Sequence, residues 1–171
     1  KDIQSLLLIN PDNPTGNYIP YADCLRLADW CQQRNILFVL DESFIDFSVE
    51  HPTFFKDDIL EQYSNLVVIK SISKSYGVPS LRLGILATSN VDIMTVIRRS
   101  VSIWNINSFA EFFLQILGKY EASYQQAMDE FRAERARFVD ELHKIGFLRV
   151  LPSAANYLLC EVKQPHTPRE L

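Results

Sequence analysis

Leu66-Val67-Val68-Ile69-Lys70-Ser71-Ile72-Ser73-Lys74-Ser75-Tyr76-Gly77 is the stretch on which the fold turns. Its first four residues are apolar without alternation, the pattern of a strand buried on both faces. The strand stops at Lys70-Ser71 and gives way to hydroxyls grouped around Lys74. The same arrangement occurs twice upstream. Ser5-Leu6-Leu7-Leu8-Ile9-Asn10 reads as a strand that ends in Pro11-Asp12-Asn13-Pro14-Thr15-Gly16, a dense cluster of turn residues. Ile36 to Leu40 is another continuous apolar strand, ending at Asp41. Between them Cys24, Leu27, Ala28 and Cys31 recur at helical spacing, which predicts an amphipathic helix over Tyr21 to Arg34. Leu83-Gly84-Ile85-Leu86-Ala87 makes a fourth strand. Apolar strands alternating with helices predict an α/β fold, with a mostly parallel sheet covered by helices on both faces. Ligands of such sheets gather at the carboxyl ends of the strands. Asn13, Asp41 and the run from Ser71 to Lys74 all fall there.

The second half changes character. Phe109, Phe112, Phe113, Ile116, Leu117 and Tyr120 form one helical stripe, and Tyr124, Met128, Phe131, Phe138 and Leu142 continue a helical pattern to about Lys144. Both stripes are expected to face the core, and Gly146 supplies a stop. A helix of this length suits a bridge between two domains. Phe147 to Leu151 and Asn156 to Val162 read as two strands of a small unit, followed by a loop at Gln164-Pro165-His166-Thr167-Pro168.

Composition excludes several functions. Of 171 residues, 47% are hydrophobic, enough for a real core, and the formal net charge is -4. A general binder of nucleic acid or of an anionic membrane needs a basic face, which this balance does not provide. The three cysteines include no C-x-x-C pair, so a zinc knuckle or redox dithiol is not expected. Cys24 and Cys31 read as small buried apolar residues, and the absence of a disulfide framework points to a reducing, cytoplasmic setting. No run is long and apolar enough to span a membrane, and no signal peptide is visible. The chain begins at Lys1, close to a strand, as a piece of a longer protein would.

Lys74, Asp41, Asn13, Ser71, Ser73 and Arg82 together make the donor set that pyridoxal 5'-phosphate requires. The aldehyde needs a lysine to form a Schiff base, and that lysine afterwards shuttles a proton. The pyridine nitrogen needs a carboxylate, so that it stays protonated and the ring accepts electrons. The ring hydroxyl needs a donor. The phosphate needs hydroxyls and an arginine. Each residue alone has an ordinary explanation, since strand-end lysines are mostly solvated, aspartates cap helices and serines populate turns. The argument rests on the combination.

The combination also resembles a known family. Asn10-Pro11-Asp12-Asn13-Pro14-Thr15-Gly16 is similar to the asparagine-proline-threonine-glycine signature of class I and II aminotransferases, enzymes of fold type I that depend on pyridoxal phosphate. Asp41-Glu42-Ser43-Phe44 resembles their strand-end aspartate motif. Ser71-Ile72-Ser73-Lys74-Ser75-Tyr76-Gly77, with Leu81-Arg82-Leu83-Gly84 beyond it, resembles their lysine motif and its following arginine. The motifs come in family order and the resemblance covers essentially the whole chain. Within the family the branch resembled is that of histidinol-phosphate aminotransferase and threonine-phosphate decarboxylase, supported also by Trp104-Asn105-Ile106-Asn107-Ser108 and Pro152-Ser153-Ala154-Ala155-Asn156-Tyr157.

The resemblance implies that Lys74 holds the cofactor and moves the proton, that Asp41 pairs with the pyridine nitrogen, that Asn13 donates to the ring oxygen, and that Ser71, Ser73 and Arg82 bind the phosphate. Phe44 stands where aminotransferases commonly have a tyrosine, and it cannot donate a hydrogen bond to the ring oxygen. The family's glycine-rich phosphate loop, its ring-stacking aromatic and the arginine that grips the substrate carboxylate are not among these residues. Residues 1–120 are therefore expected to be the later part of a cofactor-binding large domain, and 121–171 a bridging helix with the start of a small C-terminal α/β domain. The implied activity is transfer of an amino group between a small amino acid, phosphorylated or not, and a 2-keto acid, in a cytoplasmic homodimer with no nucleic-acid or membrane partner. Two alternatives stand beside it. One is a decarboxylase of the threonine-phosphate type. The other is an aminotransferase-like ligand sensor within a transcription regulator, although no helix-turn-helix or basic stretch occurs in this sequence.

Overall fold

In the computed structural model, which describes residues 3–50 and 52–169, four strands form one mixed sheet in the order β1-β2-β3-β4. Lys1, Asp2, His51, Glu170 and Leu171 lie outside the described residues. The strands are β1 (Ser5–Ile9), β2 (Leu37–Asp41), β3 (Leu66–Ser71) and β4 (Gly84–Ala87). The first three are parallel and in register, so that Ile9 pairs with Asp41 and Asp41 with Ile69. β4 runs antiparallel to β3, with Gly84 beside Ser71. The predicted strands thus all form, and the sheet is mixed because the link from β3 to β4, made of a short helix and a 3-10 turn, brings the chain back antiparallel.

Helix α1 (Tyr21–Gln32) covers one face of the sheet. Cys24, Ala28 and Cys31 are fully buried on its inner side and pack with Phe38, Leu40, Leu66 and Val68. The short helix α2 (Asp57–Gln62) and the loops around it close the same core with Phe54, Ile59 and Tyr63. The opposite face is less covered. Leu7, on the same side as Val39 and Val67, is 61% exposed, so the expectation of two covered faces holds for one face among the described residues.

Downstream lie α3 (Ile72–Ser75), α4 (Val91–Ser100), α5 (Ser108–Leu117) and the long α6 (Glu121–His143). Asn90 and Asn107 cap α4 and α5, each accepting a hydrogen bond from the backbone N–H three residues on. The expectation of a core-facing stripe holds only in part on α5, where Phe113 packs against Ile72, Leu83 and Ala110 and Ile116 and Leu117 are half-buried. Phe109 is 79% and Phe112 60% exposed, because no described element packs on their side of the helix, whereas Ala110 is buried with Ile72 and Leu83. α6 meets its expectation better. Met128 is buried with Phe44, Phe47 and Ala155, while Phe138 stays exposed.

The small unit after α6 has a two-stranded antiparallel sheet, β5 (Leu148–Val150) with β6 (Cys160–Val162). These strands are shorter than the sequence pattern predicts, since residues 152–158 are used differently. Ala154 N–H donates to Gly16 O at 2.8 Å, and Tyr157 Oη donates to Asp12 O at 2.7 Å. That segment docks the small unit onto the turn after β1. Gly16 permits the approach through a left-handed φ of 76° and the lack of a side chain, because a Cβ there would lie 2.1 Å from Ser153 Oγ. Gly16→Ala is expected to cost about 2 kcal/mol or more, read as a lower denaturant midpoint with faster hydrogen exchange at residues 153–157.

Alternation along β2 sends Phe38, Leu40 and Glu42 to the covered face and Val39 and Asp41 to the other. Glu42 is 2% exposed. It accepts from Thr53 Oγ1 at 2.5 Å and from Phe54 N–H at 2.8 Å, tying the loop before α2 to the strand end. Burial pushes its carboxyl above the usual glutamate range in spite of these bonds. A raised pKa in the folded state makes a contribution that is full below the unfolded pKa and is lost as pH rises through the folded one. Glu42→Gln, which keeps an acceptor for Phe54 and a partner for Thr53, is therefore expected to gain stability over the parent at pH 8 and to lose that advantage at pH 4. Thermal melts of both proteins across that range check it.

Candidate cofactor site at the strand ends

β2 and β3 leave the sheet at different points, and the gap between their ends is where the polar residues gather. Glu42 N–H donates to Ile69 O at 2.8 Å, the last backbone rung between the two strands. Beyond it β2 turns into a 3-10 helix at Ile45–Phe47. The N–H of Ser71 would then lack a backbone partner, and it donates instead to Ser43 Oγ at 2.9 Å. Ser43 in turn donates to Asp41 Oδ1 twice, from its N–H at 2.9 Å and from its hydroxyl at 2.5 Å.

An open cleft of about 420 Å³ lies at this place, lined by Asp41, Ser43, Ser71, Arg82 and Gly84 among others. Of the residues singled out from the sequence, the cleft brings together Asp41, Ser71 and Arg82. Asp41 is half-buried, and its Oδ2 accepts no hydrogen bond from a described residue. Arg82 has a left-handed backbone, φ 57°, which costs a non-glycine residue of order 1 kcal/mol and marks a position held for a reason other than local comfort. Its guanidinium donates to Pro79 O at 3.2 Å and is otherwise exposed.

The remaining candidates stand around the cleft. Lys74 is exposed on α3, three residues after Ser71, and Ser73 is buried on the same short helix. Asn13 is exposed at the tip of the turn after β1, where Asp12 does the local work by accepting from Thr15 Oγ1 at 2.5 Å and from Gly16 N–H through its carbonyl at 2.8 Å. Phe44 does not line the cleft. It is 7% exposed, and its ring meets Tyr157 edge-on with centroids 5.2 Å apart.

A second polar group supports α3 from beneath. Lys70 Nζ lies 2.6 Å from Asp46 Oδ1, with both side chains about 15% exposed. Burial raises the Asp46 carboxyl, but the charge and hydrogen bond of Lys70 outweigh it and hold the pKa below the usual aspartate range. Tyr124, in the first turns of α6, stacks on Tyr76 at 4.0 Å, and Arg132 donates to Asp46 O at 2.8 Å. The long helix is therefore tied to the segment that carries Lys74. Nothing in the sequence distinguished Lys70, Asp46 or Ser43 from neighbouring polar residues, because their importance lies in partners distant along the chain.

Similarity to known proteins agrees with this geometry. The family model for aminotransferase class I and II matches residues 1–171. The chain is 36% identical over 173 residues to the threonine-phosphate decarboxylase of Salmonella typhimurium, covering 99% of this chain and 47% of that protein. It is 34% identical over 162 residues to histidinol-phosphate aminotransferase 3 of Mesorhizobium japonicum, covering 95% of this chain and 42% of that protein. The crystal structure of the histidinol-phosphate aminotransferase from Clostridium acetobutylicum superposes with a TM-score of 0.83 at 31% identity, over 94% of this chain and 48% of that one. The chain thus spans about half the length of these relatives. Pyridoxal 5'-phosphate is the cofactor of the family they represent. By its sequence, its mixed sheet and its structural neighbours, the chain belongs to the class I and II aminotransferases.

Proposed function

We propose that the protein carrying this chain is a pyridoxal-phosphate-dependent aminotransferase that moves an amino group between a small amino acid, phosphorylated or not, and a 2-keto acid, with Lys74 as the lysine that holds the cofactor. The observation that carries the reading is the convergence of Asp41, Ser71 and Arg82 on one cleft at the carboxyl ends of β2 and β3. The chemistry of this set fits the cofactor. A carboxylate oxygen without a protein partner suits a protonated pyridine nitrogen, and a hydroxyl with a guanidinium suits a phosphate. The bound cofactor would supply an electron sink for the pair left when a bond at the substrate α-carbon breaks.

The chain's own residues do the rest. Asp41 would keep the ring nitrogen protonated. Ser71 and Arg82, with Ser73, would anchor the phosphate, and Asn13 would donate to the ring oxygen. The exposed Lys74 amine would take a proton from the substrate α-carbon and return it elsewhere. Phe44 would act on the cofactor ring only indirectly, through its packing on Tyr157, since it has no hydrogen to donate. Residues 1–120 would form the later part of the large domain and 121–171 the bridging helix and the start of the small one. The proposed enzyme would be a cytoplasmic homodimer acting on small amino and keto acids, as the resemblance implies. Among the described residues no helix is long and apolar enough to cross a membrane.

A decarboxylase is the second reading. It is supported by the 36% identity to a threonine-phosphate decarboxylase and uses the same residues, so product analysis separates the two. Keto-acid formation from an amino donor supports transamination, and carbon dioxide release from a phosphorylated amino acid supports decarboxylation. For the shared site, borohydride treatment of the holo-protein followed by peptide mapping is expected to place the pyridoxyl group on Lys74. Lys74→Arg is expected to lower turnover by roughly 10²- to 10⁴-fold, the range of a lost general acid-base group. Label on another lysine, or near-normal turnover of the variant, overturns the assignment.

A further inference from the structure

We infer that Ser43 is a positioning residue for Asp41, fixing which carboxylate oxygen meets the cofactor and coupling the ring end of the cleft to the phosphate end; the inference rests on the function proposed above. Ser43 is 8% exposed and lines the same cleft as Asp41, Ser71 and Arg82. Its N–H and its hydroxyl both donate to Asp41 Oδ1, at 2.9 and 2.5 Å. Its oxygen accepts from Ser71 N–H at 2.9 Å. The hydroxyl has one hydrogen, and that hydrogen is committed to Asp41 because Ser71 offers only a donor. The direction of every bond in the bridge is therefore determined.

Two consequences follow for Asp41. Two donors on Oδ1 fix the carboxylate rotation and leave Oδ2 as the oxygen without a protein donor. An N–H donor entering the cleft, such as a protonated ring nitrogen, then meets one oriented acceptor rather than a rotor. The turn from Asp41 to the Ser43 N–H is a common local motif and would form with many residues at position 43. The hydroxyl bridge needs serine or threonine, and only the bridge reaches across to β3. Ser71 is one of the residues that would hold the phosphate, so a single side chain ties both anchoring points of the cofactor to one rigid rung.

Ser43→Ala keeps the backbone bond to Asp41 and removes the bridge, and Ser43→Thr restores a hydroxyl. In the full-length protein carrying this chain, Ser43→Ala is expected to weaken pyridoxal 5'-phosphate binding to the apo-protein by about tenfold, the loss of one charge-assisted hydrogen bond. It is expected to shift the pH midpoint of the visible absorption band of the holo-protein and to lower kcat more than KM. Ser43→Thr should recover most of each effect. Combined with Asp41→Asn, Ser43→Ala should add little further loss, since its effect runs through Asp41. Ser43→Cys, close in size and a weak donor, should move binding and midpoint in the same direction by less, and it replaces the alanine variant should that one fail to fold. Unchanged cofactor affinity and an unchanged midpoint in the folded alanine or cysteine variant overturn the inference, as does full additivity with Asp41→Asn. Borohydride mapping of the parent keeps the two levels apart. Label away from Lys74 removes the proposed function, and with it the premise for Ser43. Label on Lys74 with an unaffected Ser43 variant removes only the positioning role.

Discussion

The in-register parallel pairing of β1, β2 and β3 is the constraint from which the rest of the site follows. Ile9, Asp41 and Ile69 share one row across the sheet, so the residues that follow them emerge together at one edge. Asn10 N–H still reaches Asp41 O at 2.9 Å, and Glu42 N–H still reaches Ile69 O at 2.8 Å. One rung later the backbones diverge and side chains must take over the hydrogen bonding. A buried sheet cannot leave those groups unpaired without a cost of a few kcal/mol each. The polar cluster is thus partly a consequence of ending parallel strands side by side, and the proposed chemistry would use groups that the fold already needs there.

The period of two along β2 divides the labour between adjacent acids. Glu42 falls on the face packed by α1 and α2 and is consumed by Thr53 and Phe54. Asp41 falls on the other face and keeps one oxygen free of protein donors. A slip of one residue in the register of β2 would exchange them, burying the acid that lines the cleft. The apolar pattern of Phe38 and Leu40 against α1 prevents the slip, so the same hydrophobic contacts that stabilise the core also select which acid faces the cleft. On the far side of β3 the Lys70–Asp46 pair and the Tyr76–Tyr124 stack brace the short α3 against α6. A four-residue helix has little stability of its own, and Lys74 would otherwise sit on a mobile loop.

The legible part of this protein was the part with a local signal. Apolar runs of four or five residues identified all four strands of the sheet, and turn residues or polar clusters after the first three marked the edge where the candidate site lies. Helical spacing located α1 and α6. What was not legible depended on distant partners. The segment from Asn156 to Leu159 has the composition of a strand but is drawn away by contacts of Ala154 and Tyr157 with residues near Gly16 and Asp12. The aromatics of α5 have a core-facing period, yet nothing described covers Phe109 or Phe112. α4 carries a usable signal that the apolar pattern alone did not reveal, namely Asn90 as a cap with Arg98 and Arg99 in the last turn. Among the site residues the types of Asp41, Ser71 and Arg82 were readable, whereas Ser43 looked like filler inside a motif. Phe44 looked like a neighbour of the cofactor ring, and its ring instead joins Phe47, Met128 and Ala155.

That placement of Phe44 bears on how the two halves of the chain communicate. Phe44 follows the Asp41-Glu42-Ser43 turn directly, and its ring contacts Tyr157, whose hydroxyl returns to Asp12 in the turn that carries Asn13. A path of direct contacts therefore runs from the end of β2, through the small unit, to the end of β1, while Arg132 on Asp46, Asp46 on Lys70, and Tyr124 on Tyr76 join α6 to the end of β3 and the segment after it. The three strand ends are joined to one another by the sheet and joined again by the elements packed beyond it. A site that must orient a ring, a phosphate and a proton-transferring amine at once gains from such double support, because positioning errors of an ångström at any of them are costly. The exposed residues, Lys74, Asn13 and Arg82, are those left free to meet a ligand, and the buried ones hold the strand ends from which they project.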